Sequence, residues 1–367
     1  MAEVLYLYPQ IVRVSFTNVA EQHIAQLQKC FDVDVQEIKH TYLIHKHYKI
    51  IATHPVFWVF THPSPLILDA RLGELERIRQ LCNALIGFDV ADSDRIAQYC
   101  ADLLNEYYDC IVLPSNASAE AYYKSGVNID VHVIPHGIDE RLLSAKPALH
   151  NIYNFDLRLA HAQKEQLGYK YVLFFLWHSG YRKGADIVAK AMQIVQKECN
   201  DVLLLLKLGE IGDPFIRCFS KVKHIAVKGW LTWHELAFLY QLADVVVCPS
   251  RGGGFELNAI EALAFGKPVI AHAHGCFADY AQWLITCKAK YCNTVIPNNH
   301  IHIGGGYEVD AEDMAGKILK VLDNYDRIAD RYSKIAFWVR QKYNWMQIGK
   351  QLCRLFSNYL RNSSMIS

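Results

Sequence analysis

From residue 170 onward the chain alternates short leucine-rich or β-branched runs with longer stretches of helical periodicity. Nothing else in the sequence limits the fold as strongly. The runs YVLFFLW (171–177), DVLLLLKLG (201–209), IAVKGW (225–230), DVVVCPS (244–250) and KPVIAHA (267–273) read as strands. They are almost continuously apolar, which predicts a parallel sheet covered on both faces. Helices are expected between them over 185–199, 233–243 and 257–265, each long enough for a right-handed crossover.

The first 150 residues repeat this theme less regularly. Strand candidates there are VLYLY (4–8), VDVQEI (33–38), FWVF (57–60), ALIGF (84–88), CIVLPS (110–115) and VHVIP (131–135). A chain of 367 residues exceeds the roughly 250 to 300 at which one core stops growing. The expectation is therefore an α/β protein of two Rossmann-like parallel-sheet domains, residues 1–150 and 151–340. Residues 137–170 form the expected connection, and 341–367 a closing helix. Open parallel sheets bind ligands outside the carboxyl ends of their strands, so two such domains facing each other would make one cleft.

Composition narrows the function classes. Hydrophobic residues make up 52% and charged residues 20%, which describes an ordered globular protein. The net charge of +1 hides an asymmetry: residues 1–150 hold 12 Lys/Arg against 18 Asp/Glu, and the remainder 26 against 19. The basic second half suits an anionic ligand, and equally a solvated surface. No interleaved aromatic and basic module points to nucleic acid. No G-x-G-x-x-G follows an early strand, which disfavours a dinucleotide-dependent oxidoreductase. Eleven cysteines occur without any C-x-x-C or zinc-ligand spacing, so most are expected reduced and buried, with room for a bridge or two. The N-terminus lacks the pattern of a secretion signal, and no apolar stretch approaches the ~20 residues of a membrane span. A cytoplasmic protein is the expectation; aromatic and basic residues at 42–49 also allow peripheral contact with a membrane, or form an ordinary surface.

The most informative segment is CPSRGGGFELNAIEALAFGKPVI, residues 248–270. A strand runs into Pro249 and Ser250, glycines occupy 252, 253 and 254, and a helix opens near Leu257. Glycine lets backbone approach a ligand closely, and the free amides and dipole of a helix N-terminus favour an anion such as phosphate. Taken alone, three glycines fit a structural turn as well. A second segment, Ser179-Gly180-Tyr181-Arg182-Lys183-Gly184-Ala185-Asp186, follows the strand at 171–177 and supplies two adjacent cations.

Residues 249–270 resemble the signature of family 4 retaining glycosyltransferases of the GT-B fold, the glycosyl transferases group 1. The family usually shows Glu, Gly, Phe, Gly, Leu, three variable residues, a second Glu, Ala and a G-x-P-V strand. This chain matches at Gly254, Phe255, Leu257, Glu261, Ala262, Gly266, Pro268 and Val269; it departs with Gly253 at the first Glu and Glu256 at the second Gly. Further similar stretches are 112–139, 227–250, 304–319 and 343–352.

The resemblance implies a nucleotide-sugar donor held by the second domain. Glu261 would accept ribose hydroxyls. Backbone amides around Gly253, Gly254, Phe255 and Leu257 would hold phosphate and sugar, with Ser179 and Gly180 in the neighbouring turn. Trp230 and Leu231 would meet the base through backbone groups, and the closing helix would cross back to the first domain. Arg182 and Lys183 would neutralise the departing diphosphate in place of a metal, so no cofactor is expected. Glu256 is the candidate to replace the absent first Glu, and with Arg182 and Lys183 completes the expected catalytic set.

Asp89, Asp92 and Asp94, after the strand at 84–88, are candidates to orient an acceptor hydroxyl; helix capping by Asp92 or Ser93 explains that run equally well. His54 and His62 read as core or loop residues, and His272 with His274 lacks a third metal ligand. The expected activity is transfer of a sugar from a UDP- or GDP-linked donor to a carbohydrate, lipid-linked or protein acceptor, with retention of configuration. The alternative is a non-catalytic nucleotide-sugar or carbohydrate-binding module on a degenerate transferase scaffold.

Overall fold

The computed structural model describes residues 2–11, 14–209 and 212–363. The chain divides into two compact units, Met1–Gly137 with Pro297–Gly304 and Asn344–Ser367, and Ile138–Ile296 with Gly305–Tyr343. Set beside the expected divide at residue 150, this gives residues 138–150 to the second unit and returns two later segments to the first. The stretch 137–170 holds the helices Glu140–Ser144 and Phe155–Leu167, whose Leu142, Leu157 and Ala160 are buried in the second unit's core.

In the first unit, β1 (Val4–Tyr8), β2 (Val33–Glu37), β3 (Tyr48–Thr53), β4 (Cys82–Phe88), β5 (Cys110–Leu113) and β6 (Asp130–Val133) form one parallel sheet in the order β2-β1-β3-β4-β5-β6. Residues 57–60, expected as a strand, are instead the helix Val56–Phe60, and the strand of that region is β3, just upstream. Pro55 stands at the N-cap with extended backbone, where a missing N–H costs nothing. Val56, Phe57, Val59 and Phe60 are buried and Trp58 is exposed; strict alternation along a strand would have exposed Phe60 with Trp58.

The helix Trp345–Ser363 belongs to this first unit and packs on the helix Ser15–Leu27. A β-carbon at Gly349 would lie 2.7 Å from Gln26 Cβ, so glycine is what permits the close approach. Just beyond that contact a disulfide joins Cys30 to Cys353, 323 positions apart in sequence; the other cysteines are free. Below the helix pair, the Tyr6 hydroxyl lies 2.9 Å from His23 Nδ1 and 3.2 Å from His54 Nδ1. His23 stacks on His54 and lies 6.3 Å from the ring of His136, and all three are buried. Burial drives the His23 and His54 pKa values well below the ordinary imidazole range and that of His136 down to about 3, so these rings are neutral.

The second unit contains β7 (Lys170–Leu176), β8 (Val202–Leu208), β9 (His224–Val227), β10 (Val245–Cys248), β11 (Val269–Ala271) and β12 (Ile285–Thr286), again all parallel, in the order β12-β11-β10-β7-β8-β9. Successive residues of one strand enter different cores. Tyr171 and Leu173 join the cluster on one face, Val172, Phe174 and Leu176 that on the other. Burial on both faces is why these runs carry no polar alternation. The helices Ala185–Glu198, Trp233–Leu242 and Leu257–Ala264 lie within the expected spans. A short antiparallel pair, β13 (Ala289–Cys292) and β14 (Gly306–Val309), completes the unit. Among the described residues no helix is long and apolar enough to cross a membrane.

Candidate functional site

The candidate site lies at the carboxyl ends of β7 and β10 in the second unit. After β7 the chain passes through Ser179, whose left-handed backbone turns it into a four-residue helix, Gly180–Lys183. The Gly180 amide donates to Asp213 Oδ2 at 2.9 Å, and a β-carbon there would sit 2.4 Å from Phe215 Cβ. Gly184 then reverses the chain with φ of +74° and opens the helix Ala185–Glu198. A β-carbon on Gly184 would be 2.5 Å from the Pro249 carbonyl oxygen. Pro249 begins the glycine turn after β10, so the cation turn and the glycine turn pack directly on each other.

Three further contacts join them. The Arg251 amide donates to the Arg182 carbonyl at 2.7 Å, Arg182 Nη1 donates to the Gly252 carbonyl at 3.2 Å, and Lys183 Nζ lies 2.8 Å from both carboxylate oxygens of Glu256. Arg182, Gly254 and Glu256 are buried, while Gly253, Phe255 and Leu257 keep part of their surface. Glu256 is the residue before the helix Leu257–Ala264, and the ring of Phe255 packs against Tyr343 and Tyr280. Arg182, Lys183, Glu256 and the backbone of 252–257 thus share one locality, as a pyrophosphate would require.

Arg251, which sequence reasoning passed over, is the clasp of this locality. Its guanidinium is 2% exposed and binds Asp186 through two parallel bonds of 2.9 and 2.8 Å, Glu308 at 2.8 and 3.1 Å, and the Tyr181 carbonyl. Burial would raise the Asp186 carboxyl, but the Arg251 hydrogen bonds and charge hold it below the usual range; Arg251 holds Glu308 low as well. The Arg251 carbonyl accepts from Tyr307, and the Ser250 carbonyl from His272 Nε2 at 2.8 Å. His272 is thereby engaged in supporting the turn, and His274 stacks on Tyr307. Among the described residues no group of three or more His, Cys, Asp and Glu side chains could hold a metal ion.

Glu261 lies one turn along the helix Leu257–Ala264. Its carboxylate accepts from the hydroxyl of fully buried Tyr240 at 2.6 Å. The residue as a whole stays part-exposed, yet burial of its carboxyl group, with Asp139 adding to it, pushes the pKa up to about 7. At the ends of β8 and β9, Gly229 takes φ of +76° and Trp230 is half-exposed, its ring 4.7 Å from that of Trp177; Leu231 follows. Beneath them, buried Lys207 donates to the carbonyls of Leu208 and Gly229 and faces the Trp177 ring at 4.9 Å. A single Lys inside the run LLLLKLG was the available signal for this support. Arg251 offered less, because Glu308 stands 57 residues away from it.

In the first unit, Asp89 is buried. Its carboxylate accepts from the amides of Phe57 at 2.8 Å and Val90 at 2.7 Å, and burial pushes its pKa up to about 7. It fastens the end of β4 to the start of the helix Val56–Phe60. Asp92 and Asp94 are part-exposed: the Asp92 amide lies 3.4 Å from His302 Nδ1, and a β-carbon on Gly304 would lie 2.2 Å from Asp94 Oδ1. No helix starts at either, the nearest N-cap being Ala97.

Comparison with known proteins gives a consistent picture. The family profile described as glycosyl transferases group 1 matches residues 170–324, which contain both turns. An uncharacterised protein of Sulfolobus islandicus rod-shaped virus 1 is 30% identical over 97% of this chain and 98% of its own length. A putative glycosyltransferase of Sulfolobus islandicus filamentous virus is 27% identical over 72% of each chain. The crystal structure of Anabaena HepE in complex with UDP-glucose superposes with a TM-score of 0.68 at 16% identity, covering 98% of this chain and all of that one.

Proposed function

Since the chain belongs to the group 1 glycosyltransferases and has the α/β architecture of the GT-B fold, we propose that it transfers a hexosyl unit from a UDP- or GDP-linked donor to an acceptor hydroxyl, with retention and without a divalent metal. The observation that carries this reading is the union of the two turns. Gly184 rests on Pro249, and Arg251 clasps both, so cations and glycine backbone converge where one pyrophosphate can reach them. A likeness to HepE, whose structure holds UDP-glucose, supports a nucleotide-sugar partner.

The chemistry follows from charge. As the bond from the anomeric carbon to phosphate breaks, the diphosphate takes the electron pair and gains negative charge. Arg182, Lys183 and the amides opening the helix Leu257–Ala264 are positioned before that charge develops, so they stabilise the transition state more than the bound donor. The acceptor hydroxyl adds to the face the phosphate leaves, and a departing phosphate oxygen takes its proton. Glu261 accepts ribose hydroxyls, the backbone of Gly229–Leu231 meets the base beside Trp230, and Asp92 and Asp94 lie on the acceptor's unit. The acceptor itself is a carbohydrate, a lipid-linked sugar or a protein.

A panel of UDP- and GDP-sugars, each scored by the rise it causes in melting temperature, tests donor binding; a ligand at a hundred times its Kd adds about 2.7 kcal/mol of stability. No rise with any member would reject the donor assignment. Nuclear magnetic resonance of the product with a donor that binds tests stereochemistry, and an inverted anomer would reject retention.

A further inference from the structure

Lys183 does not present a bare ammonium to the site. Its Nζ is gripped by both oxygens of Glu256 at 2.8 Å, and Glu256 is only 2% exposed. Although Glu256 stands immediately before a helix, its side chain caps no helical amide; it folds back over the glycine turn instead. A β-carbon at Gly253 would come within 2.8 Å of Glu256 Oε1 and 3.6 Å of Arg182 Nη1. Glycine at 253 therefore gives the carboxylate its berth. That berth has the features of an anion site: a helix N-terminus, an ammonium and a guanidinium nearby. The protein has filled it with an anion of its own.

From this geometry we infer that Glu256 is an internal competitor for Lys183, which a donor or product phosphate must displace, and that it speeds release of the nucleoside diphosphate. The inference rests on the donor site proposed above and adds a function for Glu256 there. Arg251 is matched by Asp186 and Glu308, so Arg182 and Lys183 are the cations left to meet a phosphate, and Glu256 cancels one of those two charges. A free nucleoside diphosphate carries one more ionisable oxygen than the sugar-linked donor, so a neighbouring carboxylate opposes the product more than the substrate. Exchange of Lys183 from carboxylate to phosphate and back changes no bond order and consumes no proton; it trades one ion pair for another. The expected result is weak retention of product and a site that resets itself.

The test is calorimetric titration of the full chain with UDP and with GDP, for wild type and Glu256→Gln. Glutamine keeps the shape and removes the charge. The variant is expected to bind whichever diphosphate the wild type binds roughly tenfold more tightly or better, with a smaller gain for the matching nucleotide sugar. Equal or weaker diphosphate binding by the variant overturns the inference and leaves the donor site standing. If wild type binds neither UDP nor GDP, the donor-site reading itself falls, and the inference with it. Should the variant fail to fold, a crystal structure of wild type with UDP decides. Lys183 Nζ found on a phosphate oxygen and off the carboxylate supports the exchange; Nζ still held by both Glu256 oxygens, with no phosphate contact, refutes it.

Discussion

Reducing the Cys30–Cys353 bond should weaken the first unit by several kcal/mol. The bond closes a loop of 323 residues. If the whole chain unfolds at once, the loop-closure entropy removed from the unfolded state corresponds to about 6 kcal/mol at 25 °C. If the first unit opens alone, the second still holds Ile138 N–H on the Tyr343 carbonyl at 2.9 Å. The freed loop then shrinks to roughly 120 residues, and the logarithm lowers the effect only to about 5 kcal/mol. Five of the seven tryptophans (177, 230, 233, 283 and 338) lie in the second unit, so fluorescence would follow the wrong half. Hydrogen exchange of peptides covering 15–27 and 345–361 reads the right one. Comparison of the oxidised protein with Cys30→Ser/Cys353→Ser should show protection there falling by about 5 kcal/mol. A fall of less than about 1 kcal/mol would mean that the helix pair is as constrained without the bond, and would refute the loop argument.

Other perturbations follow from the same structure. Lys183→Ala should lower kcat/KM by about a hundredfold or more in transfer assays with a donor that binds, since a preorganised donor to the developing charge is lost; a loss below threefold would remove Lys183 from the catalytic set. Arg251→Met leaves Asp186 and Glu308 without their shared cation and should cost the second unit about 3 to 5 kcal/mol in urea unfolding. For pH, the folded-state pKa values of His23, His54 and His136 lie below the unfolded value near 6.5, so the unfolded chain binds more protons as pH falls. Asp89 in the same unit works the other way, since burial raises its pKa to about 7 and it gains its proton in the folded state first. Stability of the first unit should be level well above pH 7 and fall below 6.5 by up to about 3 kcal/mol per pH unit, the three histidines less Asp89; melting temperatures unchanged down to pH 5 would contradict this.

In the second unit β7, β8, β10 and β11 were legible because they are buried on both faces, and continuous apolar runs bounded by Pro and Gly have few other readings; the short, part-exposed β12, β13 and β14 gave no such run. The same criterion failed at FWVF, where an apolar run of four residues fits a buried helix turn equally, and only the burial of Phe60 beside Phe57 and Val59 separates the two. β3 was hidden because Tyr48 and Lys49 gave it a polar start. In the site, the two turns were readable from residue type and spacing next to a strand end. Their clasp was not: the role of Arg251 depends on Glu308, brought to it by a hairpin that local sequence does not announce. Tyr240, which binds Glu261 from another helix, was invisible for the same reason. The exchange of Glu and Gly at 253 and 256 could be seen in sequence, but that the carboxylate would lie over Gly253 could not.

The first unit is assembled from three separated stretches of chain, its last being the helix whose Trp345, Ile348, Leu352 and Phe356 are wholly or almost wholly buried. A fragment ending at Gly137 would keep six strands yet leave that apolar seat uncovered, and would be prone to aggregate. Grafting this unit onto a relative therefore takes four junctions, at 137/138, 296/297, 304/305 and 343/344, rather than a single cut. During synthesis, too, the sheet built from residues 4–133 must wait until residues 345–363 have been made before its covering helix, and the sulfur that locks it, can arrive.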